Sequence, residues 1–411
     1  MGTVGAEENH DDERSNRQGQ KRTGGVAEMK GSFRSLNEIL SFRGGGTPRK
    51  DVPEYWSDEI PWASVKDFKS LDLAKTQDSI SRKGLEASAS NLIPAGHVII
   101  PTRMALGKAA INSIDMAINQ DLRALIPKVP LDSRYLLHAM IGLADEIVRY
   151  GSGATVKGIT QENLGKLQIP LPPLAEQKRI AAILDAADAL RAKRREALAQ
   201  LDALLQSTFL SLFGDPVENP MGWERKKFSQ IGNLDRGVSK HRPRNAPELL
   251  GGPYPLVQTG EVANCDTFIR DYKNTYSEIG LKQSKLWPVG TLCITIAANI
   301  AKTGILAFEA CFPDSVVGFR AEDPATIHFA KTWLSFLQKM LEETAPESAQ
   351  KNINLEILRN LEVPVPPLPL QRKFAAIVES IEHQKTAQRA HLTALDALFA
   401  ALQHRAFRGE L

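Results

Sequence analysis

Cysteine is scarce in this chain: three residues, Cys265, Cys293 and Cys311, lie far apart, with no CxxC pair and no histidine at zinc-ligand spacing. That pattern argues against a disulfide framework and against a structural zinc site. No run of about 18 consecutive apolar residues occurs, so no segment reads as a membrane span. The first residues, MGTVGAEENHDDERSNRQ, lack the apolar stretch of a secretory leader, and Ala6 stands where a myristoylation motif requires Ser or Thr. These absences lead to the expectation of a cytoplasmic protein with no membrane partner. A surplus of charge is missing too: 51 Lys and Arg against 48 Asp and Glu leave a net charge of +3, which permits a polyanionic partner without demanding one.

Catalytic signatures are also missing. An amino-methyltransferase needs an Asn/Asp-Pro-Pro-aromatic run, and ENPM at Glu218 to Met221 is not one. A phosphate-binding loop needs GxxxxGK[ST], whereas Gly107-Lys108 is followed by Ala109 and Gly165-Lys166 by Leu167. Pro313-Asp314 lacks the carboxylate-x-Lys of a nuclease metal site. His97, His138 and His328 have no partners at catalytic spacing. No catalytic residue, metal ligand or cofactor is therefore assigned to this chain.

What is present is a repeat. LGKLQIPLPPLAEQKRIAAIL, Leu164 to Leu184, recurs as LRNLEVPVPPLPLQRKFAAIV, Leu358 to Val378, at an offset of 358 − 164 = 194 residues. The offset persists downstream, where LDAL at Leu201 meets LDAL at Leu395 and Phe213 meets Phe407. It persists upstream, where Pro94, Gly96, Lys108 and Ile111 meet Pro288, Gly290, Lys302 and Ile305. A period this long marks a tandem duplication of domains rather than a solenoid.

Each copy has the same internal order. Short apolar runs such as HVII and TLCITI, punctuated by Gly and Pro, read as strands and turns. A helical stretch follows, LDSRYLLHAMIGLADEIV in the first copy and HFAKTWLSFLQKMLEE in the second. The Pro-Pro pair then opens a helix of about 40 residues, roughly 60 Å long at 1.5 Å per residue. In the first long helix Ile180, Ile183, Ala187, Leu190, Ala197, Leu201 and Leu204 are read as the apolar seam. In the second, Phe374, Ile377, Ile381, Leu395, Leu398 and Leu402 take that part. Arg194, Gln384, Gln388 and His391 are read as polar interruptions that hint at further helices from a partner. The expectation is an α+β fold: two similar mixed α/β domains separated by two long antiparallel coiled-coil-like helices, with an internal pseudo-two-fold. The boundaries are read as a disordered extension at 1–30, a first domain at 31–172, a helix at 173–213, a second domain at 214–366 and a helix at 367–411.

The duplicated unit, and specifically IPLPPLAEQKRIAAIL and VPPLPLQRKFAAIV, resembles the specificity subunit family of type I restriction-modification systems. GGGTPRKDVPEYWSDEIPWASVKDF, RMALGKAAI, INQDLRALIP and the C-terminal AFRGEL are similar to that family's recognition and terminal motifs, and the similarity covers residues 32 to 411. The second domain departs from the pattern, with GVSKHRPRNAPELLGGPYPLVQTGEV in place of the GGTP run. The resemblance implies two target-recognition domains, each reading half of a bipartite site in double-stranded DNA. It implies helices that set the spacer and dock two methyltransferase subunits, with motor-nuclease subunits completing the complex. S-adenosylmethionine, ATP and magnesium would belong to those partners. A specificity subunit serving an orphan methyltransferase, or a scaffold without DNA affinity, is the competing reading.

For DNA contact the densest signal is Arg236, Lys240, Arg242 and Arg244, read as a mobile basic loop able to follow phosphates or pair with guanine edges. The alternative for such a run is a solvated loop. In the first domain Arg43, Arg49 and Lys50 flank Gly44 to Gly46, which serve either as a tight turn or for close backbone approach. Arg103 and Lys108 follow an expected strand, and Lys302 repeats Lys108. Arg191, Lys193, Arg194 and Arg195 are read as a solvated or subunit-facing helix surface, GSGATVKG as a connector, and Trp56 and Trp62 as core. On the helices, Ile180, Ile183, Leu190, Leu201, Leu204, Phe374, Ile377, Ile381, Leu395 and Leu398 are the candidate docking residues.

Overall fold

The computed structural model describes residues 32–153, 157–297, 301–344 and 354–411, with 339–344 as backbone only; the 1–30 extension lies outside these. The chain divides into two compact units, residues 1–191 with 394–411, and residues 192–393.

In the first unit a five-stranded sheet runs in the order Leu40–Gly44, Leu122–Pro127, Val98–Pro101, Ala110–Asn112, Asp72–Leu73. A four-stranded sheet runs Asp78–Ile80, Ile60–Ala63, Met116–Ile118, Asn91–Ile93. The second unit repeats both orders: Asn233–Arg236, Val316–Arg320, Leu292–Thr295, Thr303–Leu306, Phe268–Ile269, and Asn274–Tyr276, Leu250–Leu256, Ala310–Cys311, Leu286–Trp287. Both sheets are mixed, with parallel pairs such as Trp62 with Ala117 among antiparallel ones. The α+β class read from the repeat is the one observed.

Period-two alternation explains the central strands. Val98 and Ile100 join a core with Leu136, Leu137 and Met140 of the helix Ser133–Gly142, while Ile99 between them faces Ala110, Met116 and Ile118. In the second unit Leu292 and Ile294 turn toward Phe329 and Trp333 of the helix Pro324–Thr344, and Cys293 turns to Trp287 and Phe312. A strand covered on both faces has to be apolar at every position, which is why HVII and TLCITI do not alternate in sequence.

The long helices are Leu174–Phe213 and Leu368–Ala406. In each unit one half of the first lies antiparallel to one half of the second. In the first unit Arg179 reaches the Leu411 carbonyl and Arg191 reaches Asp396. In the second, Arg194 bonds Gln388, Asp202 pairs with Lys385, and Phe209 packs on Phe374. Among the covered positions of the first helix one path runs through Gln177, Ile180, Leu184, Ala187, Arg191, Arg194, Leu198, Leu201, Leu205, Thr208 and Leu212, with Ala181, Phe209 and Phe213 buried beside it. The matching path in the second runs through Gln371, Phe374, Val378, Ile381, Lys385, Gln388, Leu392, Leu395, Phe399, Leu402 and Ala406, with Ala375 and Glu382 buried beside it. Every step is three or four residues, the heptad seam of a coiled coil, and each member sits 194 positions from its counterpart.

This seam corrects the sequence reading. Leu190, Leu204 and Leu398, expected inside it, are 48%, 49% and 48% exposed, and the adjoining Arg191, Leu205 and Phe399 take the interior places. Gln384 and His391 face solvent. Arg191, read as part of a solvated or subunit-facing surface, belongs to the seam, and so do Arg194 and Gln388, read as polar interruptions of it. The cause is physical: leucines are abundant on both faces of these helices, so several 3–4 paths fit the sequence, and the true path passes through arginine and lysine.

Both domains grip the helices at equivalent places. Buried Gln177 donates to the Pro172 carbonyl, 2.9 Å, and accepts from the Asp132 backbone N–H, 2.9 Å. Buried Gln371 donates to the Pro366 carbonyl, 2.8 Å, and accepts from the Thr326 hydroxyl, 2.9 Å. A helix start leaves backbone groups without helical partners, and each glutamine joins its own first turn to the domain beside it. In the first unit Asp185 adds a clamp, accepting from Arg134 Nε at 3.0 Å and pairing with His138 Nε2 at 2.7 Å, while Arg134 Nη1 holds Asp72 at 3.0 Å.

Phe209 is fully buried among Phe213, Phe329, Phe336 and Phe374. Phe209→Ala should cost about 3–5 kcal/mol through the cavity it leaves, seen in urea melts as a lower midpoint at unchanged slope. Asp185 is held below the usual carboxylate range: burial opposes ionisation, but the bonds from Arg134 and His138 outweigh it. A depressed folded pKa contributes stability above the unfolded value near about 3.9, lost as pH falls through the folded value. Asp185→Asn should therefore lower the melting temperature at pH 7, and the gap to the parent should close in acid below that window. A gap that stays constant to the lowest pH would contradict the clamp.

Candidate nucleic-acid interface

The segment after strand Asn233–Arg236 leaves the sheet through Gly237, where an added Cβ would lie 2.3 Å from the carbonyl oxygens of Phe312 and Pro313. Only glycine allows this approach. Beyond it, the N–H groups of Lys240 and His241 donate to Gln283 Oε1 at 2.7 and 3.1 Å, and the Ser284 hydroxyl donates to the Val238 carbonyl at 2.8 Å. The loop read as mobile is thus tied along its backbone to Gln283 and Ser284, just past the helix Glu278–Lys282.

Arg236, Lys240, Arg242 and Arg244 are all exposed. Three of them converge on one residue. Arg236 Nε donates to the Asp314 carbonyl at 3.0 Å, Arg242 Nη2 lies 3.6 Å from Asp314 Oδ2, and Arg244 bonds Asp314 Oδ1. Asp314 sits in the turn from Pro313 to Val316, closed by a backbone bond of 3.0 Å. In the sequence Asp314 draws notice only as part of a nuclease-like dipeptide; its place beside the arginines follows from long-range strand pairing, Arg236 opposite Val317, which no local pattern reveals.

The first domain spreads its cations over separate segments. Arg43 projects from the edge strand Leu40–Gly44. Arg49 forks onto Asp51, its Nη2 at 2.6 Å, beside exposed Lys50. Arg103 lies 3.9 Å from Asp121 and opposite Gly158, and Lys157 is exposed nearby, its carbonyl accepting from the Met104 N–H at 3.2 Å. Lys108 Nζ donates to the Phe68 carbonyl at 3.2 Å. Its repeat partner Lys302 is half-buried, its backbone N–H given to Thr295 Oγ1 at 3.1 Å. Part of GSGATVKG, residues 154–156, lies outside the described residues.

The glycines Gly45 and Gly46 serve close approach: added Cβ atoms would strike the Ile118 carbonyl at 1.9 Å and the Ala89 carbonyl carbon at 2.6 Å. Neither adopts positive φ. Trp62 is buried, donating to the Gly46 carbonyl at 3.0 Å, and meets Trp56 edge to face at 5.4 Å. This is core packing, as expected for tryptophans in that setting.

A second basic hollow, missed in the sequence, is lined by Lys285, Arg320, Arg359, Asp235 and Trp287. Lys285 lies over the Trp287 ring at 3.9 Å, and Asp235 sits within 4 Å of both Lys285 and Arg359. Among the described residues no group of three or more His, Cys, Asp or Glu is placed to hold a metal ion. None of the helices there is long and apolar enough to cross a membrane. Burial pushes the Cys265 thiol up to about 11.

A family model described as type I restriction modification DNA specificity domain matches residues 30–200 and again 220–394. The MjaIX specificity subunit of Methanocaldococcus jannaschii is 22% identical over 404 residues, 92% of this chain and 93% of that one. The EcoR124I/EcoR124II specificity subunit of Escherichia coli is 32% identical over 184 residues, 43% of this chain and 46% of the relative. The crystal structure of the S subunit of a type I restriction-modification system from M. genitalium shares the fold. It matches with a TM-score of 0.56 at 16% identity, over 94% of this chain and 98% of that one. Two matches to one domain model, in the two halves that repeat each other in sequence and topology, place this chain in the type I restriction-modification specificity subunit family.

Proposed function

We propose that this chain reads a bipartite site in double-stranded DNA, one half with each domain, and lends its long helices to methyltransferase subunits. The observation that carries the reading is the duplicated domain: two folds of identical strand order offer two readers whose loops differ. The GGGTP run of the first is replaced in the second by a basic loop. Such divergence on one scaffold is what reading two different half-sites requires.

The exposed leucines of the helices support docking. Leu190, Leu204 and Leu398 stand outside the seam, where a partner helix can cover them. Ile183 and Ile377 are half-buried beside them, whereas Ile180, Leu201, Phe374, Ile381 and Leu395 serve the chain's own packing. Methyl transfer with S-adenosylmethionine, and ATP- and magnesium-dependent cleavage by motor-nuclease subunits, belong in this proposal to the partners. A specificity subunit of an orphan methyltransferase fits the same geometry.

The test of the reading is the methylome of the source cell. Deleting the gene should abolish methylation at one motif of two short half-sites separated by a fixed unread spacer, and reintroducing it should restore that motif. Persistence of every methylated motif would remove the proposal. At residue level, changing Arg236, Lys240, Arg242 and Arg244 together to Ala, in the chain assembled with its methyltransferase subunit, should weaken DNA binding. It should also flatten the log–log salt dependence by roughly 0.9 for each phosphate the chain no longer touches. Unchanged affinity and slope would return these four to the solvated surface.

A further inference from the structure

Three guanidinium groups gathered on one edge repel one another, and in water they would spread. Here they do not: Arg236, Arg242 and Arg244 meet at Asp314, through its carbonyl and both carboxylate oxygens. The backbone that bears them is fixed as well, by Gly237 against residues 312–313 and by Gln283 beneath Lys240 and His241. The turn holding Asp314 is therefore not an incidental neighbour of the loop.

The first unit uses the same turn for the same task. The position 194 residues before Asp314 is Gln120, whose side chain accepts from the hydroxyl of Thr47. Thr47 lies in the GGGTP run, the counterpart of the basic loop. Both domains thus tie this loop to this turn, the first with a neutral amide and the second with a carboxylate. The charge is what the second domain adds.

A carboxylate presents two oxygens to a guanidinium much as a phosphate does. While it is in place, Asp314 orients the three arginines and repels a phosphate that approaches at random. A bound duplex has to offer contacts good enough to use the arginines as they are held or to replace the carboxylate. Loose backbone contact satisfies neither condition. We infer that Asp314 is a specificity-setting residue of the second recognition domain, aligning its arginines and suppressing sequence-independent DNA binding. The inference rests on the DNA-reading function proposed above and names how one domain discriminates.

The experiment uses the full chain with its methyltransferase subunit and two duplexes, one carrying the methylated motif and one with both half-sites scrambled. Asp314→Asn keeps the size while removing the charge and one of the two acceptor oxygens that face Arg242 and Arg244. It should raise affinity for the scrambled duplex about fivefold, the order of one added phosphate contact at moderate salt, and steepen its salt slope by roughly 0.9. Affinity for the motif should not rise in step, so the ratio between the two duplexes falls. Asp314→Glu should restore most of that ratio. In an Arg242→Ala/Arg244→Ala background, Asp314→Asn should raise affinity for the scrambled duplex far less than in the parent, because only direct repulsion of phosphate is then lost and no guanidinium is released. An unchanged ratio and slope in Asp314→Asn, in a protein whose urea midpoint matches the parent, would overturn the inference while leaving DNA reading intact. Parent protein that binds neither duplex in a salt-dependent way would overturn both.

Discussion

The seam between the two long helices is the constraint on which the rest depends, and its centre is charged. Arg191 pairs with Asp188 three residues back on its own helix and with Asp396 on the other, 2.7 and 2.6 Å. Lys385, 194 positions later, pairs with Glu382 three residues back and with Asp202 on the other helix, 3.0 and 2.7 Å. Asp188 and Glu382 are counterparts in the repeat, as are Asp202 and Asp396. One ionic triad has thus been kept twice. Lys385 illustrates its balance: burial works against the charged amine, yet its bonds to Asp202 and Glu382 hold its pKa above the ordinary value.

A charge withdrawn from water is costly if left unpaired, so buried Lys385 and half-buried Arg191 penalise any arrangement that separates them from Asp202 and Asp396, although those acids keep about half of their surface exposed. An all-leucine seam of these lengths would tolerate a shift by one heptad, with apolar groups still meeting apolar groups. With the triads, a shift strands Arg191 and Lys385 away from Asp396 and Asp202. The domain contacts act in the same sense at the helix ends: Gln177 and Gln371 fix the first turns, while Phe407 packs on Tyr135 at 5.5 Å. Apolar packing supplies the affinity between the helices, and the polar groups choose among the registers it would accept.

Legibility in the sequence follows the range of the interactions. The duplication, the strand-rich domains and the long helices can be read because each leaves a local or periodic signal: identical motifs at one offset, apolar runs closed by glycine, prolines at a helix start. Which face of the helices turns inward cannot, because a three-or-four spacing is ambiguous when leucine, isoleucine and alanine occupy most of the apolar rows. Ile183 and Leu184 show the difficulty, since both continue such a path and only Leu184 lies in the seam. The true path is marked instead by the ion triads, visible only as acids three residues before a cation with an acid on a distant helix. Gln177 and Gln371 are identical in the repeat, but their reach back to the Pro-Pro carbonyls depends on how the chain folds around each helix start.

The candidate interface is harder still, since charge in a loop says nothing of what restrains it. Arg236, Arg242 and Arg244 stand out as a cluster, whereas Asp314 lies 70 residues beyond Arg244 and enters only because the intervening strands return the chain to the same sheet. That distance matters for how such a domain can change. The two units carry loops of different sequence, GGGTP and the basic loop, on sheets of the same strand order. The turn that anchors them is part of the sheet connection in both units, through Gln120 in one and Asp314 in the other. A scaffold that keeps the anchor and varies the loop can alter what it reads while preserving how firmly the reading groups are held, and preorganised groups lose less entropy on contact than free ones.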